Sequence, residues 1–268
     1  MNLRRGLATT VRRASGLTDR MVPAQAGVVV LIYHRVGGGS DSVVDLPVEQ
    51  FRAQVAHLAT HHRVLSLDDA TAALAAGTPT DGVVITFDDG TADVVDVAAP
   101  ILADAGLPSA LYLVTSAPDA GVLPWDAPAA SWAALADATA GGLLTVGSHT
   151  HRHRLLHRTT AAEAADELDR SVEAIAHHLG APPAHFAYPK AVPGNRAATA
   201  AVAARFRSAA VAGHGVNRSA RQLQRLRRVP ISRGDDIATF AVKAAGGLRL
   251  EGALRHFAAT PRYWNRTT

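Results

Sequence analysis

The chain has 268 residues, 48% hydrophobic and 19% charged, which provides for a sizeable core and argues against wholesale disorder. It has no cysteine, excluding disulfides, thiolate zinc sites and cysteine nucleophiles, and no apolar run approaches the roughly 18–20 residues of a membrane span. The formal charge is +4, carried by arginine with only two lysines, Lys190 and Lys243; no groove-reading motif or basic–aromatic platform accompanies it, so no nucleic-acid partner is expected.

Residues 1–26 form a basic N-terminal extension. Leu3, Leu7 and Val11 recur every four residues, with Arg4, Arg5, Arg12 and Arg13 among them. Such a segment can lie on an anionic membrane surface or pack as a terminus. It has the charged start of a signal peptide but no apolar stretch before Gly27, and nothing apolar follows Arg12-Arg13 as a twin-arginine signal requires. The expected location is the cytoplasm or the cytoplasmic face of a membrane, with peripheral contact through this segment.

From residue 27 to 268 strand-like and helix-like segments alternate in one domain. Short apolar runs cover 28–34, 83–87, 110–115, 143–147, 185–188, 208–212 and 226–231. Their lack of polar alternation suits strands buried on both faces, as in a parallel sheet. Helical patterns cover 47–61, 67–76, 92–105, 130–140, 160–179, 195–205 and 235–245, the last opening a helical C-terminal tail. Pro47 suits a first helical turn, Ser66 an N-cap, Thr160 with Glu163 a capping box, and Gly180 a helix stop. Loops are expected at 37–40 and 117–128. Seven strands alternating with helices predict α/β architecture.

Polar residues gather where these strands end, the usual place for functional groups in parallel α/β folds. The first strand ends in Tyr33-His34, the second in Asp88-Asp89-Gly90, the fifth in Tyr188-Pro189-Lys190, and the fourth leads into His149-Thr150-His151-Arg152-His153. Adjacent carboxylates repel; a cation relieves them and lets one bind metal while the other exchanges protons. A solvated Asp-Gly turn is the plain alternative. His149 and His153, four apart, share a face if their segment coils into a helical turn, and two imidazoles with one carboxylate leave coordination positions open, as in a catalytic site. The alternative is a basic loop with incidental histidines, to which His151, Arg152 and His157 are assigned.

At Thr86-Phe87-Asp88-Asp89-Gly90 and Ser148-His149-Thr150-His151-Arg152-His153, in that order and followed by Phe186-Ala187-Tyr188-Pro189, the sequence resembles the polysaccharide deacetylase family. This is also called the NodB-homology or carbohydrate esterase family 4 domain. Tyr33-His34-Arg35-Val36 and the stretch from Trp132 to His149 add to the likeness, which spans roughly residues 28–231. The resemblance implies a distorted (β/α)7-type barrel and hydrolysis of N-acetyl groups on amino sugars of a polysaccharide, oligosaccharide or glycan precursor, releasing acetate. It implies that Asp89, His149 and His153 hold a divalent metal, usually zinc, though Co2+, Ni2+ and Fe2+ suit the same donors. It makes Asp88 the general base and the Lys190 backbone N–H the oxyanion donor.

The family pattern is not complete. Ala187 stands where many members carry an arginine that orients the catalytic aspartate, and Lys190-Ala191 replaces an aromatic–glycine pair. Arg228, on the last strand, can approach Asp88 from across the barrel or be a solvated arginine. Trp125 and Asp126 are candidate sugar contacts, with Trp125 equally suited to anchoring its loop. Tyr188 and Pro189 are grouped with the substrate-binding residues, as is His34, which lines the site or sits as a satisfied core histidine. His214 is a weak candidate for a general acid that is otherwise unassigned. The alternatives kept open are a non-catalytic carbohydrate-binding barrel that retains the metal and a deacetylase of a small acylated amine.

Overall fold

Valine, leucine and isoleucine dominate the first two strands, where branched side chains pack well on a pleated surface. β1 is Val28–Tyr33 and is followed by the two-residue strands β2 (Arg35–Val36) and β3 (Asp45–Leu46). Helices α1 (Val48–His61) and α2 (Leu67–Ala76) lead to β4 (Gly82–Asp89). Then come α3 (Ala99–Asp104), β5 (Ser109–Leu113), α4 (Ala117–Ala120), α5 (Trp132–Ala140) and β6 (Leu144–Ser148). The chain continues through α6 (Ala161–Leu179), β7 (His185–Ala187), α7 (Arg196–Arg205), β8 (Ser208–Ala212), β9 (Leu226–Pro230) and α8 (Ile237–Ala244). The structure is a computed structural model and describes residues 26–78 and 80–247. The basic segment 1–25 and residues 248–268 of the expected tail lie outside the described residues.

Seven strands close in the order β1-β4-β5-β6-β7-β8-β9, every pairing parallel, with β9 returning to β1 through Val30↔Arg228 and Leu31↔Val229. This is the distorted seven-stranded α/β barrel. Alternation along each strand divides the core. Val28, Val30, Val84, Ala110, Tyr112, Ala187 and Ala210 fill the interior, whereas Val29, Leu31, Tyr33, Ile85 and Phe87 face outward onto Phe51, Val55 and Leu58 of α1. Leu67, Ala70 and Leu74 of α2 join the interior cluster, so α2 packs across the amino end of the barrel. The distortion is concentrated between β6 and β7, which pair only at Ser148↔Phe186.

All seven expected strands form, and the helix caps sit on Ser66, Thr160 and Asn195. Four details differ from the sequence expectation. β4 runs through Asp88 and Asp89 rather than stopping before them. Residues 117–128 begin with the short helix α4. The helix expected at 92–105 opens with a wide π-type turn at Val94–Ala98, because Pro100 lacks an N–H and crowds the preceding turn. β2 and β3 were not anticipated, being too short to show a periodic pattern.

Candidate metal centre and active site

β4 carries Thr86 and Asp88 on one face and ends at Asp89. Arg228 lies on β9, with only β1 between it and β4, and is fully buried in the barrel. Its guanidinium forks onto Asp88, with Nη1 donating to Oδ1 at 2.6 Å and Nη2 to Oδ2 at 2.9 Å, and Nη1 also donating to Thr86 Oγ1 at 3.1 Å. The Tyr112 ring lies 4.9 Å from the guanidinium carbon, a favourable cation–π contact. Two parallel charge-assisted bonds are the strongest way to hold a carboxylate. Burial alone would push the Asp88 carboxyl up, but Arg228, aided by His149, holds it well below the usual carboxylate range. The structure thus brings Arg228 to Asp88 across the single intervening strand β1, while Ala187 serves differently.

Asp89 turns away from its neighbour because its backbone is left-handed, with φ 78°. Gly90 follows at φ 92°, where an added Cβ would lie 2.4 Å from Leu113 Cδ1. Asp89 is level with Leu113 of β5, and Leu113 with Ser148 of β6, so His149 emerges beside it. His149 Nε2 and His153 Nε2 each lie 3.5 Å from Asp89 Oδ1. One ligand atom from each of the three residues lies within 4.8 Å of the others.

The two histidines do not meet through a helical turn. Residues 149–153 are irregular, and left-handed Thr150 (φ 68°) and His153 (φ 56°) fold the segment back on itself. Six described non-glycine residues have positive φ: Asp89, Asp126, Thr150, His153, Lys190 and Ala191. All six stand at the carboxyl ends of barrel strands or in the loops that follow. Such conformations cost of order 1–3 kcal/mol each and cluster where function requires them.

The donor set fits a divalent cation. The Nδ1 of His149 lies 2.8 Å from the Ala187 carbonyl; a carbonyl only accepts, so Nδ1 carries the hydrogen and Nε2 presents a lone pair towards Asp89. That carbonyl is open to the ring because the β6–β7 ladder stops at Phe186. Burial lowers His149 to about 4 and, with the neighbouring His149 ring adding to it, His153 to about 2, so both rings are neutral. Burial and the neighbouring Asp88 charge raise Asp89 to about 7. A buried carboxyl that stays raised although Lys190 and Arg228 pull it down, facing two neutral imidazoles, is the arrangement a metal completes.

Other expected site residues are distributed around this group. Trp125 is 39% exposed and packs edge-on against His153, ring centroids 5.0 Å apart. The Nζ of Lys190 lies 5.1 Å from the Trp125 ring centroid. His34 is half-buried, and its Nδ1 has no hydrogen-bond partner among the described residues. Burial lowers its pKa; the Asp88 charge opposes this, and Arg228 and Lys190 add to it. Pro189 is buried at the head of the turn that carries Lys190.

Three candidates are not drawn in. The ring of Tyr188 packs with Phe186, Leu156 and Val202 in the layer between barrel and helices, because one step along the chain from Ala187 reverses the face. Asp126 is exposed in a left-handed turn closed by its N–H to Leu123 O at 2.9 Å. His214 lies on the segment leading to Asn217, which pairs with Val28 at the amino end of β1.

One contributor escaped the sequence reading. Glu167 of α6 is 1% exposed and accepts from the backbone N–H and Nε of Arg152, both at 2.8 Å. The N–H of His151 donates to the Glu167 carbonyl at 3.2 Å. Ser171, one turn further on, bonds Ser148 at 2.7 Å. Helix α6 therefore grips the loop of His149 and His153 from behind. The signal was present: Ala164, Glu167, Leu168, Ser171 and Ile175 share the buried face, and a glutamate there needs a buried partner.

The polysaccharide deacetylase family model matches residues 75–209, half of the chain and the part holding Asp88, Asp89, His149 and His153. The chain belongs to the polysaccharide deacetylase family. Solved structures give the same fold. IcaB from Ammonifex degensii is 24% identical, with a TM-score of 0.72 over 82% of this chain and 97% of that one. Streptococcus pyogenes deacetylase PplD, in complex with acetate, is 18% identical, with a TM-score of 0.72 over 81% and 98%. A de-N-acetylase from Aggregatibacter actinomycetemcomitans is 19% identical, with a TM-score of 0.67 over 80% and 98%. No curated protein sequence matches significantly.

Proposed function

We propose that this deacetylase is a metal-dependent hydrolase that removes N-acetyl groups from amino sugars of a polysaccharide, oligosaccharide or glycan precursor, releasing acetate. The observation that carries the reading is the Asp89–His149–His153 group beside a separate aspartate, Asp88, that is held ionised. Two adjacent carboxyls whose pKa values are driven apart mark distinct roles. Asp89, His149 and His153 would hold the metal, which when bound supplies Lewis acidity towards an acetyl carbonyl and lowers the pKa of water. Zinc is the expected ion, and Co2+, Ni2+ or Fe2+ suit the same donors.

Asp88 takes the proton of the attacking water, its two oxygens aimed by the Arg228 fork. A carboxylate so stabilised is a weak base, and it serves only a water already made acidic. The backbone N–H of Lys190, on the turn after Pro189, donates to the developing oxyanion. His34, whose ring feels the charges of Asp88, Arg228 and Lys190, is the imidazole available to pass a proton to the leaving nitrogen. Trp125 offers its indole face to a sugar ring. A cytoplasmic or membrane-face location, with residues 1–26 against anionic lipid, belongs to the same proposal; among the described residues no helix is long and apolar enough to cross a membrane.

Acetate release from N-acetylated oligosaccharides, with and without chelator, tests the reading. Turnover should stop on chelation and return with zinc. Asp88→Asn should abolish it while bound metal persists, and His153→Ala should lose both. Full activity in Asp88→Asn overturns the assignment of the base. Metal and sugar binding without any acetate release would instead favour a non-catalytic carbohydrate-binding barrel, and release from small acylated amines alone would move the substrate class.

A further inference from the structure

The two lysines differ sharply in setting. Lys243 is buried and paired with Asp235 at 2.6 Å. Lys190 is exposed and no described carboxylate pairs with it; its ammonium rests on the Trp125 ring. That ring in turn packs on His153, so two successive contacts of 5.1 and 5.0 Å lead from the ammonium to a metal-ligating ring. The backbone commits Lys190 to this place. Residues 190 and 191 are both left-handed, at φ 55° and 56°, in a turn closed by the Ala191 N–H to Tyr188 O at 2.8 Å. The Asp88 charge is matched by Arg228, and Asp89 faces the two imidazoles of the candidate metal group. Lys190 makes no ion pair among the described residues, and its charge is felt by Asp89 only as a through-space pull.

We propose that Lys190 is a specificity-determining residue that selects N-acetylated sugars bearing an anionic group, a carboxylate or a phosphate ester, close to the reacting acetamido group. The proposal rests on the deacetylase reading above and narrows its substrate class. A lysine ammonium is a compact charge on a flexible stem with three rotatable donors, able to leave an indole for an anion. In doing so it uncovers the Trp125 face for the sugar ring. Charge-assisted bonds exceed a cation–π contact at an exposed site, so the exchange is favourable.

The test compares acetate release by the zinc-loaded full chain from N-acetylglucosamine, N-acetylglucosamine 6-phosphate and N-acetylmuramic acid. At low salt, kcat/KM for at least one anionic sugar should exceed the neutral one by about tenfold, and high salt should shrink the advantage. Lys190→Gln should bring the ratio to about one and Lys190→Glu should invert it. A preference for one anion alone identifies phosphate or carboxylate as the group read. A wild-type ratio of one or less for both anions, or a ratio unchanged in Lys190→Gln, overturns the proposal. Calorimetry with glucosamine and glucosamine 6-phosphate, which cannot be turned over, keeps the two readings apart. A Lys190-dependent preference for the phosphate without acetate release anywhere would support this site and sink the deacetylase reading. Acetate release with no charge preference in either assay would do the reverse.

Discussion

At the scale of single residues, Asp88 and Asp89 are chemically identical neighbours with opposite surroundings. One meets a guanidinium fork on Tyr112, and the other meets two neutral imidazoles and the charge of the first. The sequence displayed the pair and the two histidines but left the partner of Asp88 open, because Arg228 is distant in the chain and contact depends on barrel closure. The fork makes Arg228→Lys a non-conservative change. It should cut turnover by about 10²-fold, the cost of a misplaced catalytic group, with metal stoichiometry unchanged by equilibrium dialysis. Arg228→Met leaves Asp88 as a lone buried charge and should lower unfolding stability by about 3–5 kcal/mol, measured in denaturant.

At the scale of elements, α6 holds the loop that carries His149 and His153, and β3 holds the loop after β2. Glu167→Gln weakens the grip on Arg152, and we expect metal affinity to fall about 10–100-fold. A competition assay with a chromogenic chelator would show it, and unaltered affinity would leave α6 with packing alone. Asp45, the first residue of β3, is fully buried. It accepts from Ser40 Oγ at 2.7 Å, Ser40 N at 2.8 Å and Gly38 N at 3.0 Å. Burial would raise its pKa, but these bonds and Arg35 hold it below its ordinary 3.8. A depressed folded-state value means that its stabilisation is complete above 3.8 and lost as pH falls through the folded value. Asp45→Asn should therefore flatten the acid limb of stability against pH, read by thermal melts below about pH 5. The helices of this layer were legible from their periodicity and caps. The two-residue strands were not, since hydrogen-bond partners rather than side-chain pattern define them.

At the scale of the whole molecule, seven strands bring Asp89, His149 and His153 together at one end of the barrel. A ligand that binds only the folded chain stabilises all of it. Zinc at a hundred times its Kd adds about 2.7 kcal/mol, so chelation should lower Tm by several degrees, and His153→Ala should erase the difference. A melting curve indifferent to chelator would count against the metal centre. The seven strands and their helices were readable from the chain alone, because burial on both faces and helical amphipathicity are imposed residue by residue on local sequence. So were the motifs at the strand ends, since residue types and their order are written in the chain itself. The tertiary structure decided the rest: that Arg228 supplies the counter-charge, that the ligand loop folds through left-handed residues instead of a helix, and that Tyr188 turns outward. These depend on which strands become neighbours, in what register, and where the ladder between β6 and β7 breaks, and such long-range geometry is written in no local stretch of sequence.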